Sequence, residues 1–96
     1  MTSRHGGSDR VSTKAKLADE IAVLGQLLTS ARERAGLKQT ELAVKLGVPP
    51  SYLSKVENGT RRLDVIEFIR IAEAMGVSPA EIVGELQQEL RKKKQP

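Results

Sequence analysis

The sequence predicts an all-α fold, a compact bundle of five helices whose first is extended at its N-terminus. Three observations predict it. Leu17, Ile21, Leu24, Leu28, Ala31 and Ala35 step by three and four, which is one continuous helical stripe. Two shorter stripes follow, with Leu42, Ala43 and Leu46 before Gly47 and Leu53 and Val56 after it. Two further helices carry start and stop signals, one opened by Asp64 with Glu67 three residues later, a capping box, and stopped at Gly76, the other opened by Ser78-Pro79.

Composition bounds this reading. A chain of 96 residues suffices for one small domain, which buries only roughly 60% of its unfolded surface, so dimerisation can add to its stability. With 39% hydrophobic residues but one Tyr and one Phe, the core is aliphatic. The absence of cysteine excludes disulfides and thiolate zinc sites and is compatible with a reduced cytoplasm. The longest apolar run in the first half, Ile21 to Leu24, is too short for a membrane span or signal peptide. The expectation is a soluble, cytoplasmic protein with a disordered arm at 1–13, one domain at 14–90 and a basic tail at 91–96.

Charge is unevenly placed. Residues 1–23 carry +1, residues 24–63 carry +4, residues 64–90 carry −5 and residues 91–96 carry +4, for a net +4. Positive charge gathers around the paired short helices and the tail, a distribution suited to phosphate.

In chain order, Met1 to Val11 is rich in Gly and Ser without a period and predicts disorder. Within it, Arg4 and Arg10 either belong to a plain floppy terminus or track phosphates or a minor groove, and the lone His5 has no ligand neighbours that would make it a metal site. The first helix is expected from Lys14, capped by Ser12 or Thr13, and ended by Gly36. Its extra turns either pack on the domain or present Leu17 and Ile21 to a second subunit. The next helix, Leu37 to Gly47, has a weak cap, because Lys38 cannot accept amide protons.

The stretch Gln39 to Gly59 is the most constrained. Counting from Gln39, a small residue falls fifth (Ala43), a turn glycine ninth (Gly47), and apolar anchors tenth, fifteenth and eighteenth (Val48, Leu53, Val56). A steep crossing of two short helices needs the small residue, the turn needs positive φ, and the anchors leave the second helix with one free face. This is the helix-turn-helix pattern, in which the second helix enters the major groove. That helix is expected from Pro50 to Asn58. Pro49 removes a cap acceptor, while Pro50 is pre-set for the first helical position.

The stretch resembles the phage repressor and Cro-like (XRE-type) helix-turn-helix family, and the resemblance extends through Leu24–Leu37 and Leu63–Val83, about two thirds of the chain. It implies a repressor-like bundle that binds specific double-stranded DNA. Gln39 matches a family glutamine that bonds a phosphate and braces the recognition helix. Carried over by position, the DNA-binding residues are Gln39, Thr40, Pro50, Ser51, Tyr52, Ser54, Lys55, Asn58, Arg61 and Arg62. Prolines offer a base edge only apolar contact, so direct readout falls on Ser51, Tyr52, Ser54 and Lys55. Tyr52 either reaches DNA or packs against Pro50. The family also pairs a first-helix arginine with a recognition-helix glutamate, here Arg32 and Glu57, a structural and not a catalytic pair.

The fourth helix, Asp64 to Met75, is expected to turn Val65, Ile66, Phe68, Ile69, Ala72 and Met75 inward. In the fifth, Ile82 and Val83 are expected to reach the core, leaving Leu86 and Leu90 as dimer candidates. No Cys/His or Ser/His/Asp pairing and no phosphate-binding glycine loop is present, so neither an enzyme nor a metal or other cofactor is expected. The expected partners are double-stranded DNA and a second copy, with no membrane and no small-molecule effector. The alternative is a protein-interaction module such as an antitoxin or controller protein, for which the polar and basic outer face would be unnecessary.

Overall fold

The computed structural model describes the backbone of residues 6–94 and the side chains of residues 16–92. It contains α1 (Gly6–Arg34), α2 (Gln39–Leu46), α3 (Pro50–Glu57), α4 (Val65–Ala74) and α5 (Pro79–Lys94). The core draws on every helix: Leu28 and Ala31 of α1, Leu42 and Ala43 of α2, Leu53 and Val56 of α3, Phe68, Ile71 and Ala72 of α4, and Ile82 of α5, with Met75 closing it. α1 forms the spine, packing along both α3 and α5, while α4 bridges α2 and α5.

Local chemistry sets the helix ends. α4 begins with a complete capping box: Glu67 N–H donates to Asp64 Oδ1 at 2.7 Å, and Asp64 N–H donates to Glu67 Oε1 at 3.0 Å. α2 has half of one, because Glu41 Oε1 accepts the Lys38 amide at 2.8 Å while Lys38 returns nothing. In α5 the Ser78 hydroxyl accepts the Glu81 amide at 3.3 Å, ahead of Pro79.

The structure departs from the expected helix faces in three places. Val65 and Ile66 are 70% and 61% exposed instead of buried. The inward register of α4 is Phe68, Ile71, Ala72 and Met75, which places Ile66 on the opposite side. Val65 shares the inward side but sits on the first turn, past the edge of the core. Val83 is 45% exposed for a related reason, since Ile82 alone takes the inward position on that turn of α5. Ala35 ends the α1 stripe in solvent, and Val23 is buried although it lies off the stripe.

The first helix begins earlier than expected. α1 starts at Gly6, not near Lys14, so the 6–13 part of the anticipated arm continues the helix. No proline interrupts Gly6–Arg34, and extending an existing helix costs far less than nucleating one. α5 runs to Lys94 and so takes in the 91–94 part of the basic tail, where positive charge suits a helix C-terminus. Arg4 and His5 lie outside the described residues.

One glycine decides how α1 meets α3. A Cβ on Gly25, in the middle of α1, would collide with the Glu57 carbonyl oxygen and stand 2.8 Å from that of Val56. Glycine there lets the C-terminal end of α3 seat directly on the α1 backbone. Gly59, at φ 83°, is less tight: a Cβ added there would stand 3.0 Å from Ala22 Cα. Helix propensity alone favours Gly→Ala in α1, but the collision outweighs it. Gly25→Ala is expected to destabilise the fold by about 1–3 kcal/mol. Gly84→Ala in α5, where an added Cβ meets nothing within 4 Å, is expected to stabilise it by about 0.5–1 kcal/mol. Urea unfolding of the two variants checks the opposite signs.

Candidate nucleic-acid interface

α2 and α3 are joined by a turn that only its glycine makes inexpensive. Gly47 takes φ 70°, its amide donates to Val44 O at 3.1 Å, and the Val48 amide donates to Ala43 O at 3.0 Å, closing the end of α2. Pro49 adopts φ −66° and ψ 149° and offers no side-chain cap, so α3 begins on Pro50 and its first turn relies on the backbone, the Tyr52 amide donating to Pro49 O at 3.0 Å. Leu53 and Val56 are buried, which leaves Pro50, Ser51, Ser54 and Lys55 on the exposed face of the helix.

Behind that face lies a nearly enclosed carboxylate. Arg32 Nε donates to Glu57 Oε2 at 2.8 Å and Arg32 Nη2 to Glu57 Oε1 at 3.1 Å, a forked pair whose side chains are 12% and 8% exposed. Arg32 Nη1 also donates to Leu37 O at 2.8 Å, tying in the loop before α2. Gln39 Nε2 completes the shell by donating to Glu57 Oε1 at 2.9 Å. Burial pushes the Glu57 carboxyl up, but the hydrogen bonds from Arg32 and Gln39 and the Arg32 charge outweigh it and hold it below the usual carboxylate range. Three elements thus meet on one side chain, and Gln39 faces this pair from the start of α2.

Beyond α3 the chain turns back on itself. Thr60 N–H and Arg61 N–H both donate to Lys55 O, at 3.0 and 3.1 Å. Asn58 Oδ1 accepts from the Thr60 amide at 3.0 Å and from the Thr60 hydroxyl at 2.7 Å, so its amide group is left facing outward. Arg62 is exposed.

Tyr52 and Arg61 are placed differently from a freely presented base-reader and phosphate clamp. Tyr52 is half-buried, and its hydroxyl donates to Glu67 Oε2 at 3.2 Å. Arg61 donates to the same oxygen at 2.7 Å and lies over the Tyr52 ring, 4.7 Å from its centroid. Burial chiefly raises the Tyr52 phenol, opposed by Arg61 and helped by a smaller raising contribution from Glu67. The partner of both is Glu67, visible in the sequence only as a capping residue. Gly25 was equally silent, showing as a single glycine inside a helical stripe.

Most of the expected contact residues are exposed. Thr40 is exposed at the start of α2, beside half-buried Gln39, and Ser51, Ser54, Lys55, Asn58, Arg61 and Arg62 are exposed along α3 and the loop after it. Among the described residues no cluster of His, Cys, Asp and Glu has the make-up of a metal site. No described helix is long and apolar enough to cross a membrane.

Comparisons with known proteins agree with this geometry. The Helix-turn-helix family model matches residues 28–82, more than half of the chain. The uncharacterized HTH-type transcriptional regulator y4dJ of Sinorhizobium fredii is 36% identical over 65 residues, covering 68% of this chain and 84% of that protein. An XRE-family like protein from Pseudomonas syringae pv. tomato superposes with a TM-score of 0.74 at 41% identity, covering 81% of this chain and 95% of that one. The restriction-modification controller protein C.AhdI from Aeromonas hydrophila superposes with a TM-score of 0.64 at 31% identity, covering 68% and 94%.

The Glu57 shell makes two linked predictions. Arg32→Ala leaves a buried carboxylate without its cation and is expected to cost about 3–5 kcal/mol of stability. Glu57→Gln mimics the protonated carboxyl. Because the folded pKa is lowered, the advantage of wild type over Glu57→Gln is fully present above about pH 4.3 and fades as the pH falls through the lowered value. Thermal unfolding of the two proteins between neutral and strongly acidic pH checks this. An unchanging gap across the range would rule out the linkage.

Proposed function

The chain belongs to the helix-turn-helix family of DNA-binding transcriptional regulators, and on that premise we propose that it reads a two-fold symmetric operator in double-stranded DNA as a homodimer and represses the promoter there. The observation that carries this reading is the exposed face of α3, whose Ser51, Ser54 and Lys55 stand clear while Glu57 is locked from behind. Lys55 is the base-reader, suited to guanine O6 and N7. Gln39, Thr40, Asn58, Arg61 and Arg62 meet phosphates, and Pro50 offers apolar contact to a thymine methyl. Tyr52 stays with Glu67 and acts on α3 from within.

The second copy is proposed to dock beside Leu86 and Leu90. Leu86 lines a shallow apolar groove with Leu24, Leu63, Val65, Phe68 and Val83, and two of these, Val65 and Val83, are exposed. Half-sites are then about 34 Å apart, one helical turn of DNA. The setting is the cytoplasm, control comes from the protein's own concentration or a protein partner instead of a small effector, and no catalytic role is assigned. The likeness to C.AhdI favours a controller-type role within the same reading.

Binding-site selection from a random duplex library, run with wild type and Lys55→Ala in moderate salt, tests the proposal. Wild type is expected to enrich a two-fold symmetric motif, and Lys55→Ala is expected to relax one base position in each half-site, losing about 1–3 kcal/mol of discrimination. Weak binding with no enriched motif, disappearing as salt rises, would overturn it.

A further inference from the structure

Glu67 stands outside the face assigned to DNA, yet it controls the loop cation nearest to α3. Its Oε1 is fixed by the Asp64 amide at 3.0 Å, and its own amide is fixed on Asp64 Oδ1 at 2.7 Å. The position of the carboxylate is therefore set by the start of α4 before any other group arrives. The second oxygen faces α3, where it accepts the Tyr52 hydroxyl at 3.2 Å and Arg61 Nη2 at 2.7 Å. Arg61 is further held by its backbone bond to Lys55 O at 3.1 Å and by the Tyr52 ring beneath it at 4.7 Å.

We infer that Glu67 is a specificity-determining residue, which lowers the attraction of Arg61 for phosphate in general while fixing its guanidinium for phosphate in one register. The inference rests on the reading of α3 and its following loop as the DNA-binding face. Its first half is electrostatic. A carboxylate at 2.7 Å offsets most of the Arg61 charge, so a duplex in an arbitrary position gains little from this cation. Its second half is geometric. Among the described residues, Glu67 engages Nη2 alone, leaving Nε and Nη1 without partners. The guanidinium is already held over the Tyr52 ring and by Glu67, so a phosphate arriving at the free edge meets donors whose position is settled. Only a correctly seated duplex brings one there.

Glu67→Gln separates charge from fold. A glutamine keeps an acceptor for the Asp64 amide, as capping boxes allow, and removes the negative charge. Affinities of the full chain are measured for the duplex it enriches and for a scrambled duplex of the same composition, across a salt series. For Glu67→Gln, the scrambled duplex is expected to bind about three- to fivefold tighter, with the salt slope steeper by about one. The enriched duplex is expected to change by less than about twofold, so the ratio between the two falls about threefold. Tyr52→Phe, which keeps the ring and drops the hydroxyl, is expected to move the ratio in the same direction by less. In an Arg61→Ala background, Glu67→Gln is expected to have no effect on the ratio. An unchanged ratio in a Glu67→Gln protein with wild-type thermal stability would overturn the inference while leaving the DNA reading intact. So would an equal fall with Arg61 absent. Failure of wild type to prefer any duplex would overturn the DNA reading and this inference with it.

Discussion

The arrangement of the helix-turn-helix half depends on one buried carboxylate. Glu57 ends α3 with a side chain only 8% exposed, and a charge that enclosed is tolerable only when its hydrogen-bonding capacity is met. Arg32 from α1 and Gln39 from α2 meet it, so satisfying one acid fixes three helices relative to one another. The apolar core holds these helices together but does not by itself choose their angle, since burial of area is not directional. The forked arginine contact is directional. It converts a generic packing of short helices into one in which α3 has a defined face toward solvent.

That constraint has a geometric precondition. The fork reaches Glu57 only because the backbone at the end of α3 sits on α1 at Gly25, where any side chain would intrude on the Glu57 carbonyl. The hydrogen bonds and the glycine thus form one device, a close approach made possible by the missing Cβ and then locked by charge. α3 needs the lock. It is eight residues long, begins on prolines with no cap and has no acid in its first turn, and such a helix is not stable alone. Leu53 and Val56 hold its inner face, Glu57 its end, and Tyr52, through Glu67, its beginning.

Much of this was legible in the sequence. The spacing of Ala43, Gly47, Val48, Leu53 and Val56 marked the two short helices because each position answers a local steric need that few residue types meet. The α4 box of Asp64 and Glu67 was legible for the same reason. What escaped were features that depend on where an element stands in three dimensions. Val65 and Val83 look like core residues by periodicity, but whether an apolar side chain is covered depends on a neighbour that periodicity does not contain. Gly25 carries no sign of the backbone it meets. The double use of Glu67, as a cap for α4 and as the partner of Tyr52 and Arg61, combines contacts six and fifteen residues apart with one three residues apart, and only the last has a sequence signature.

The engagement of Tyr52 by Glu67 also narrows how such a surface can recognise DNA. With Tyr52 turned toward α4 and the first turn of α3 occupied by Pro50, the exposed donors left on the helix are Ser51, Ser54 and Lys55. Serine hydroxyls serve either donor or acceptor and discriminate weakly, so on the proposed reading one lysine carries most of the direct base reading in each copy. A single contact of that kind is worth about 1–3 kcal/mol, well short of the roughly 4–10 kcal/mol that separates specific from non-specific binding. On the proposed reading, the remainder comes from doubling the contact across a two-fold axis and from phosphate contacts that are satisfied only in register. A surface so sparing in base contacts gains most from a cation whose direction is fixed in advance, and this is where Arg61, held between Tyr52 and Glu67, is placed.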